Sequence, residues 1–234
     1  MFPYYGFYFD PTYILIIIGA VISLIASAKV NSTFSKYNRV RSMTGMTGAQ
    51  AAERILNAQG LYGVRVEHIS GNLTDHYDPK AKVVRLSDAV YNSSSVAAIG
   101  VAAHECGHAI QDQKEYAPLR IRSAIVPAAN FGSKVCWLFI FGGLLLGYNQ
   151  MLINIGILLF SLAVLFQLVT LPVEFNASSR AIAILDQSGI LSHEEVKGTR
   201  KVLSAAALTY VASAAAAILS LLRLLILFGN RDRD

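Results

Sequence analysis

The sequence predicts a mainly α-helical membrane protein in which about four transmembrane helices accompany a small α+β domain. Of its 234 residues, 54% are hydrophobic and only 15% are charged, whereas a soluble domain carries about 25% charged residues. Four long apolar runs explain this low charge. The polar residues are gathered in two segments, and the longer segment combines helical patterns with two short β-branched runs.

A transmembrane helix needs about 20 largely apolar residues. The runs that meet this requirement are 11–28, 125–147, 151–171 and 204–228. The first run could instead be a secretory signal, but no basic residue precedes it and its flank is rich in aromatic residues. The predicted segments are 1–28 with the first transmembrane helix, 29–124 as a polar domain, 125–171 as a transmembrane hairpin, 172–203 as a second polar segment, and 204–234 with the last transmembrane helix and the tail.

The distribution of lysine and arginine predicts the orientation of the chain. Residues 29–124 carry twelve of them and residues 172–203 carry four, whereas the flank before the first run and the turn between the second and third runs carry none. The positive-inside rule therefore places both polar segments in the cytoplasm, although Arg231 and Arg233 oppose this orientation. The net charge of +5 then follows from topology, and we expect no nucleic-acid partner.

Local patterns predict the elements of the polar segments. Residues 47–61 form an amphipathic helix that opens with a capping box, and 92–113 form a second helix with serine or asparagine at its start. The runs 64–69 and 81–87 are β-branched and partly alternating, which predicts a small hairpin or strand pair. Ser192 opens a further capping box, so a helix begins there and continues into the fourth span.

The segment "VAAHECGHAIQ" at 101–111 contains the pattern His-Glu-x-x-His. Residues i and i+4 of a helix lie on one face, so His104 and His108 can direct both imidazoles at one zinc ion. Glu105 lies at the edge of that face, where it can accept a proton from a zinc-activated water, as in metal-assisted peptide hydrolysis. The alternative is a pair of polar histidines on an amphipathic helix. Cys106 points elsewhere and is not counted as a ligand.

A third zinc ligand is predicted at Glu174, because a catalytic zinc site uses three protein ligands and a water. The second and third spans form a hairpin that returns the chain to the side of the histidines, and Glu174 follows directly after the third span. Topology therefore allows a His-His-Glu site with one zinc ion per chain. The alternative is a solvated charge at a helix start, which Pro172 permits.

These residues resemble those of a known family of membrane proteases. The segment "HECGHAIQ" is followed, beyond the transmembrane hairpin, by "VEFNASSRA", and it is preceded by "LTDHYDP" and "VVRLS". Together they are similar to the YugP-like membrane neutral zinc metallopeptidases of bacteria, which are related to gluzincins of the HtpX and CAAX-prenyl protease type. The resemblance covers roughly 30–228. It implies a small cytoplasmic gluzincin-like metalloprotease domain in a bacterial-type plasma membrane.

The resemblance also implies the roles of the site residues. By this resemblance, Glu105 is the catalytic base, and the zinc ligands are His104, His108 and Glu174. The wider group has an aspartate where this chain has Ser178. If that aspartate orients a ligand histidine, Asn176 or Ser178 itself must replace it here.

Related gluzincins hold the substrate as a strand added to an edge strand that precedes the metal-binding helix. The counterpart here is the run "AKVVRLS", and the residues predicted to bind substrate by this β-augmentation are Val83, Val84, Arg85 and Leu86. An ordinary strand of the sheet is the plainer interpretation, and the two are compatible.

Polarising the scissile carbonyl needs a hydrogen-bond donor or a cation near the zinc. Arg180 and His193 are predicted for this catalytic role, with His76 as a further candidate, because all three lie in the cytoplasmic segments. Arg180 follows Glu174 by six residues, and the resemblance places it near the site. The alternative for each is a solvated residue without a role.

The sequence thus predicts an integral-membrane zinc endopeptidase that cleaves membrane or membrane-proximal polypeptides at the cytoplasmic face. Its expected partners are a polypeptide substrate, the lipid bilayer, and membrane partner proteins or further copies of the chain. The alternative is a non-catalytic membrane scaffold with a structural or vestigial metal site, for which Glu105 would have no use. An intramembrane protease with its motif deep in lipid is disfavoured by the polar sequences on both sides of the motif.

Overall fold

The computed structural model describes residues 10–229 of the chain. The elements in this part are α1 (Tyr13–Asn38), α2 (Gly48–Ala58), β1 (Arg65–His68), β2 (His76–Asp78), β3 (Val83–Leu86), α3 (Val96–Gln113), α4 (Ala117–Leu145), α5 (Gln150–Ser188) and α6 (His193–Phe228). Arg231 and Arg233, which oppose the predicted orientation, lie outside the described residues.

Within residues 10–229, the helices α1, α4, α5 and α6 are long and apolar enough to cross a membrane. α5 and α6 contain the predicted spans 151–171 and 204–228, whereas α1 begins two residues inside the span 11–28 and α4 ends two residues before the end of the span 125–147. All four helices also extend beyond the predicted cytoplasmic ends of these spans. Their large apolar side chains are widely exposed, as Leu24 at 69% and Leu138 at 72% illustrate. An apolar surface of this extent suits lipid rather than water. The predicted fold class, a mainly α-helical membrane protein with a small sheet, is confirmed.

The described chain forms two compact units. The first contains the described residues up to Ile25, then Ile125–Gln167 and the described residues from Ala212 onward. The second contains Ala26–Ala124 and Leu168–Val211. Three of these borders lie within four residues of the predicted segment boundaries after residues 28, 124 and 171, whereas the fourth lies eight residues beyond the predicted boundary after residue 203. Every residue that the sequence assigns to the zinc site belongs to the second unit.

The three strands form one sheet in the order β1–β3–β2. β1 runs parallel to β3, with Arg65 opposite Val83, and β2 runs antiparallel to β3, with His76 opposite Arg85. The two predicted strands are confirmed, but the hairpin alternative is wrong because they are parallel. β2 is absent from the prediction, since it lies among turn-forming residues. An ion pair of 2.9 Å between Arg85 and Asp78 attaches it to β3.

The central position of β3 corrects the prediction of an edge strand. β3 pairs with β1 over its whole length and with β2 along Val83, Val84 and Arg85. Its main-chain groups there already have partners on both sides, so a substrate strand cannot be added to it. The prediction that Val83, Val84, Arg85 and Leu86 receive substrate as an edge strand is therefore wrong.

Capping residues fix the starts of the helices around the site. The Thr47 hydroxyl accepts a hydrogen bond from the Gln50 amide, and the Gln50 side chain accepts one from the Thr47 amide. Ser192 and Glu195 form the same reciprocal pair at the start of α6. Ser95 caps α3 by accepting a 3.1 Å hydrogen bond from the first helical turn. Such caps are worth about 1 kcal/mol each, and both predicted capping boxes are confirmed.

Helix α5 passes through Pro172 without ending, so the alternative interpretation of a helix start at this proline is wrong. A proline inside a helix loses one backbone hydrogen bond and crowds the preceding turn. After Pro172, the fully buried residues Val173, Ala177, Ala181 and Leu185 recur every four positions. Ala181 and Leu185 pack into the same core cluster as α3. Burial of this stripe favours continuation of the helix, which carries Glu174 past the apolar span.

Candidate zinc site

The His-Glu-x-x-His motif lies in the middle of α3, whose residues are mostly buried. His104 and His108 are one helical turn apart, and their ring centroids are 4.8 Å from each other. Glu105 is 7% exposed and His108 is 9% exposed. Polar groups buried to this extent need specific partners, and the neighbouring helix α5 supplies one to His108 through Glu174.

Gly107, inside the motif, sets the distance between α3 and α5. A Cβ atom at this position would lie 2.7 Å from the carbonyl oxygen of Ala177 and 3.2 Å from its Cα atom. These are backbone atoms of a helix, so they cannot move aside as a flexible side chain would. The glycine therefore allows a close helix–helix contact three residues beyond Glu174.

Three side chains converge where α3 and α5 meet. The Nε2 atoms of His104 and His108 lie 3.2 Å and 3.6 Å from Oε2 of Glu174. One ligand atom from each residue lies within 4.8 Å of the other two. The Glu174 side chain is only 3% exposed. Two imidazole nitrogens and a carboxylate oxygen form the donor set of a catalytic zinc site.

The carboxylate of Glu174 contains an atom that the protein alone does not satisfy. Its Oε1 lies 3.3 Å from Nη1 of Arg122. Its Oε2 is buried, and despite the nearby imidazoles it accepts no hydrogen bond of acceptable geometry from any described residue. A buried carboxylate oxygen without a partner costs several kcal/mol or more, in line with the penalty for desolvating a charge. A cation between Oε2 and the two Nε2 atoms would remove this penalty, so the residues present fit a zinc ion.

The electrostatic environment of His108 also favours a bound cation. Burial by itself would lower the pKa of His108, because it disfavours the imidazolium form. The contact with Glu174 and the negative charges of Glu105 and Glu174 outweigh burial and raise the pKa above its ordinary value. Positive charge is therefore stabilised at this position.

A chain of hydrogen bonds fixes the orientation of the His108 ring. The Gln111 Nε2 group lies 2.8 Å from the carbonyl oxygen of Val173. A carbonyl oxygen can only accept a hydrogen bond, so the Nε2 group of Gln111 is the donor to Val173. The Oε1 atom of Gln111 therefore faces Nδ1 of His108 at 3.0 Å. Nδ1 therefore carries the hydrogen and donates to Gln111. The tautomer that results leaves Nε2 with a free lone pair on the side of Glu174.

The chain of hydrogen bonds that begins at His108 continues to Asn176 and Arg180. Asn176 Oδ1 accepts hydrogen bonds from Gln111 Nε2 at 3.0 Å and from Arg180 Nε at 2.7 Å. Arg180 is therefore three hydrogen bonds away from the His108 ring. Its predicted catalytic role stays a prediction, and its observed contact is with a residue that positions the histidine.

Ser178 supports the second histidine. Its hydroxyl lies 3.1 Å from Nδ1 of His104, so it can accept the hydrogen of that nitrogen and leave Nε2 directed at Glu174. Ser178 thus contacts His104 directly, while Asn176 reaches His108 through Gln111. Both residues considered as replacements for the aspartate of the wider group have a place around the histidines.

A cavity of about 270 Å³ opens beside the three converging side chains. Its polar lining includes His104, Glu105 and Glu174, together with Tyr210 from α6. Asp75 lines the cavity as well, but its carboxylate is occupied by the amide and hydroxyl of Ser87. The cavity thus places Glu105 and a phenolic donor beside the same three side chains.

Two predicted residues lie away from this cavity. His193 is 74% exposed at the start of α6, where its Nδ1 lies 3.2 Å from Asp186. His76 is exposed on β2, with Nδ1 2.9 Å from the carbonyl oxygen of Thr74. Neither lines the cavity. A role for His193 in catalysis remains a prediction.

Sequence reasoning missed Gln111, Arg122 and Tyr210. Gln111 lies one turn after His108, so helical spacing could have identified it. Tyr210 is the single tyrosine in the alanine-rich run "SAAALTYVASAAAA", which was a usable signal. Arg122 looks like any basic residue before an apolar span, and nothing local marks it as a partner of Glu174.

The comparisons with known proteins show the family of this chain. A family model described as "Putative neutral zinc metallopeptidase" matches residues 12–229. The chain is 53% identical over 214 residues to "Putative membrane protease YugP" of Bacillus subtilis (strain 168), with 91% of this chain and 95% of that protein covered. No solved structure matches the chain. The chain therefore belongs to the family described as "Putative neutral zinc metallopeptidase".

Proposed function

We propose that this protein is an integral-membrane zinc endopeptidase that binds one zinc ion through His104, His108 and Glu174. The observation that carries the proposal is the unsatisfied Oε2 of Glu174, which faces two imidazole Nε2 atoms. Glu105 lines the adjoining cavity. A purely structural zinc site has four protein ligands and no open position, whereas this donor set has three ligands beside open space.

Glu105 serves as the general base in this mechanism. A zinc ion held by the three ligands supplies Lewis acidity that activates a water and polarises a carbonyl. Glu105 accepts a proton from the attacking water while the water oxygen bonds to the peptide carbonyl carbon. It then delivers this proton to the amide nitrogen as the C–N bond breaks, so that a carboxylic acid and an amine leave.

Tyr210 is the residue we assign to the developing negative charge on the carbonyl oxygen. Its phenol lines the same cavity as Glu105 and His104. A hydrogen-bond donor at that position stabilises the transition state more than the ground state. Arg180 and His193 were predicted for this role, but neither lines the cavity.

The free edge of β2 is where we place the substrate backbone. β2 pairs with β3 alone among the described strands, so its other edge can accept an extended peptide. Leu73 and Asp75, which lead into β2, line the cavity that holds Glu105. An extended chain on this edge would pass the site.

A second cavity supports a membrane-proximal substrate. It shares Ser178, Leu203 and Ala207 with the site cavity and reaches Leu208 and Val211 on α6. These last residues lie within the predicted fourth span. A peptide near the bilayer surface could therefore approach the site along α6.

The cytoplasmic orientation of the site is part of the proposal and rests on the lysine and arginine bias. Tyr148 lies in the turn between α4 and α5, which the bias places outside. A periplasm-active phosphatase reporter inserted at Tyr148 should be active, and the same reporter inserted at Lys80 should be inactive. The reverse pattern would place the site on the outer face.

Proteolysis by the purified protein in detergent tests the proposed activity. Glu105→Gln should reduce cleavage of an unfolded polypeptide such as casein by 10²-fold or more, because general-base catalysis contributes about 10²–10⁴-fold. Glu53→Gln is the matched control, since Glu53 is an exposed glutamate on α2, and it should retain full activity. Equal activity in wild type and Glu105→Gln would favour the scaffold alternative.

A further inference from the structure

A groove between the last three turns of α1 and the second to fourth turns of α6 carries four basic side chains. We call it the basic groove, and its lining residues are Lys29, Ser32, Thr33, Lys36, Tyr37, Arg200, Lys201, Ser204, Ala205 and Leu208. Its volume is about 540 Å³. All of these residues belong to the second compact unit, and none of them has a part in the zinc site described above.

Helical spacing directs both sets of polar residues into the basic groove. On α1, Lys29, Thr33 and Lys36 recur at i, i+4 and i+7, which is one face of a helix. On α6, Arg200 and Ser204 are four residues apart. The two helices are in close contact at this level, because a Cβ atom at Gly198 would lie 2.8 Å from Cε1 of Tyr37. The two basic faces therefore belong to one packed site.

Among the described residues, the charges in the basic groove have no carboxylate partner, and the Lys36 ammonium has only the Tyr37 ring, 5.7 Å away. No acidic residue lines the groove, and no described carboxylate forms an ion pair with Lys29, Lys36, Arg200 or Lys201. Four cations in one groove repel one another, and an anion of high charge density would relieve this repulsion. The hydroxyl groups of Thr33 and Ser204 add hydrogen-bond donors for its oxygen atoms, whereas the Ser32 hydroxyl already donates to the Lys29 carbonyl oxygen at 3.0 Å.

The basic groove lies at the level where apolar sequence changes to polar sequence. The predicted first span ends at residue 28, directly before Lys29, and the predicted fourth span begins at residue 204, three residues after Lys201. Both helices therefore place their cations at the headgroup level of the bilayer. On the apolar side of these cations, Leu208 is 47% exposed and lines the groove. Such a surface can contact the upper part of an acyl chain.

We propose that the basic groove binds the phosphate headgroup of an anionic phospholipid, with the acyl chains extending past Leu208 along α6. Basic pockets between membrane helices are suited to anionic lipid headgroups, because the lipid satisfies both the cations and the apolar surface below them. Free phosphate would satisfy only the cations. This inference does not depend on zinc or on proteolysis.

The position of the basic groove connects the lipid to the proposed function. The second cavity shares Arg200, Ser204 and Leu208 with the groove and shares Ser178 with the zinc-site cavity. A lipid in the groove would therefore border the route along α6 that we propose for the substrate. This consequence rests on the proposed function, but lipid binding itself does not.

Native mass spectrometry of the full-length protein in a neutral detergent, titrated with phosphatidylglycerol, tests the proposal. Lys29→Gln combined with Lys201→Gln should weaken phosphatidylglycerol binding about 25-fold, since each basic residue near the surface contributes roughly a factor of five. The matched control is Lys80→Gln with Lys114→Gln, which removes two exposed lysines outside the groove and should change binding less than twofold. Ser204→Glu, which keeps all four cations and adds a carboxylate, should also weaken binding.

Two competitors separate a lipid site from a plain anion site. Phosphatidylcholine should not displace phosphatidylglycerol, and inorganic phosphate should displace it only at concentrations far above that of the lipid. Displacement at equal concentrations of inorganic phosphate would overturn the lipid assignment. The basic groove would not be the binding site if phosphatidylglycerol bound equally well to all three variants, namely Lys29→Gln with Lys201→Gln, Lys80→Gln with Lys114→Gln, and Ser204→Glu. Zinc content measured on the same samples should not change, so a failure here is distinct from a failure of the proposed protease.

Discussion

Gly107 of α3 faces the backbone of Ala177 on α5, and a Cβ atom at Gly107 would lie 2.7 Å from the Ala177 carbonyl oxygen. The metal-binding motif therefore contains the residue that lets its own helix approach the helix of the third ligand. The close approach of the two helices at Gly107 accompanies the 3.2 Å distance between His104 Nε2 and Glu174 Oε2.

Gly107→Ala should destabilise the protein and lower its zinc content. Alanine improves helix propensity by up to about 1 kcal/mol, but moving a helix backbone to relieve the overlap costs typically about 1–3 kcal/mol. Thermal unfolding in detergent and zinc analysis measure the two effects. Gly63→Ala is the control, because nothing lies within 4 Å of a Cβ atom there. Full zinc content in Gly107→Ala would show that the close contact is dispensable.

Gln111→Ala should weaken zinc binding without removing a ligand. The Gln111 amide links His108 Nδ1 to the Val173 carbonyl, and loss of such an orienting partner typically lowers metal affinity about 10–100-fold. Competition with a chromogenic chelator measures this affinity. Gln113→Ala, an exposed glutamine two residues further along α3, should leave it unchanged. If both variants bind zinc equally, the hydrogen-bond chain does not position His108.

Tyr210→Phe should retain zinc and the fold while lowering kcat more than it raises KM. Loss of one donor to the developing oxyanion costs about 10²–10³-fold in kcat in well-studied hydrolases. The same measurement on Arg180→Ala and His193→Gln compares Tyr210 with the two residues predicted from sequence. If either of these variants loses more kcat than Tyr210→Phe while it retains zinc, the oxyanion donor is the residue changed in that variant and not Tyr210.

Cys106 lies within the motif but should be unreactive in the folded protein. Burial, with the Glu105 charge as the lesser cause, raises the pKa of the Cys106 thiol far above its ordinary value, and the thiolate is the reactive form. In a Cys136→Ser background, maleimide should label Cys106 only after denaturation. Rapid labelling of the folded protein would mean that α3 is more open than described.

Much of the fold follows from local sequence. The transmembrane spans, the capping boxes and the motif helix each depend on residues within a few helical turns of one another. Thr47, Ser95 and Ser192, for example, mark the starts of three helices. β2 escapes prediction because its three residues gain their conformation from pairing with β3 and from the Arg85–Asp78 ion pair. The same pairing makes β3 the central strand of the sheet, so the prediction that β3 is an edge strand is wrong.

The convergence of His104, His108 and Glu174 was predictable because a hairpin between two spans must return the chain to its starting side. The surrounding residues were harder to predict. Arg122 reaches Glu174 from the start of α4, and no spacing within the sequence encodes this contact. The alternative of a helix start at Pro172 is wrong, because burial of Val173 and Ala177 keeps α5 intact beyond the proline.

The zinc content of purified wild type, Glu174→Ala and Glu105→Gln, measured by elemental analysis, tests the central claim most directly. We predict about one zinc per chain in wild type, in keeping with three protein ligands and an open position. Zinc should be lost in Glu174→Ala and fully retained in Glu105→Gln, which contributes no ligand. Zinc at the wild-type level in Glu174→Ala, or no zinc in the wild type, would contradict the account.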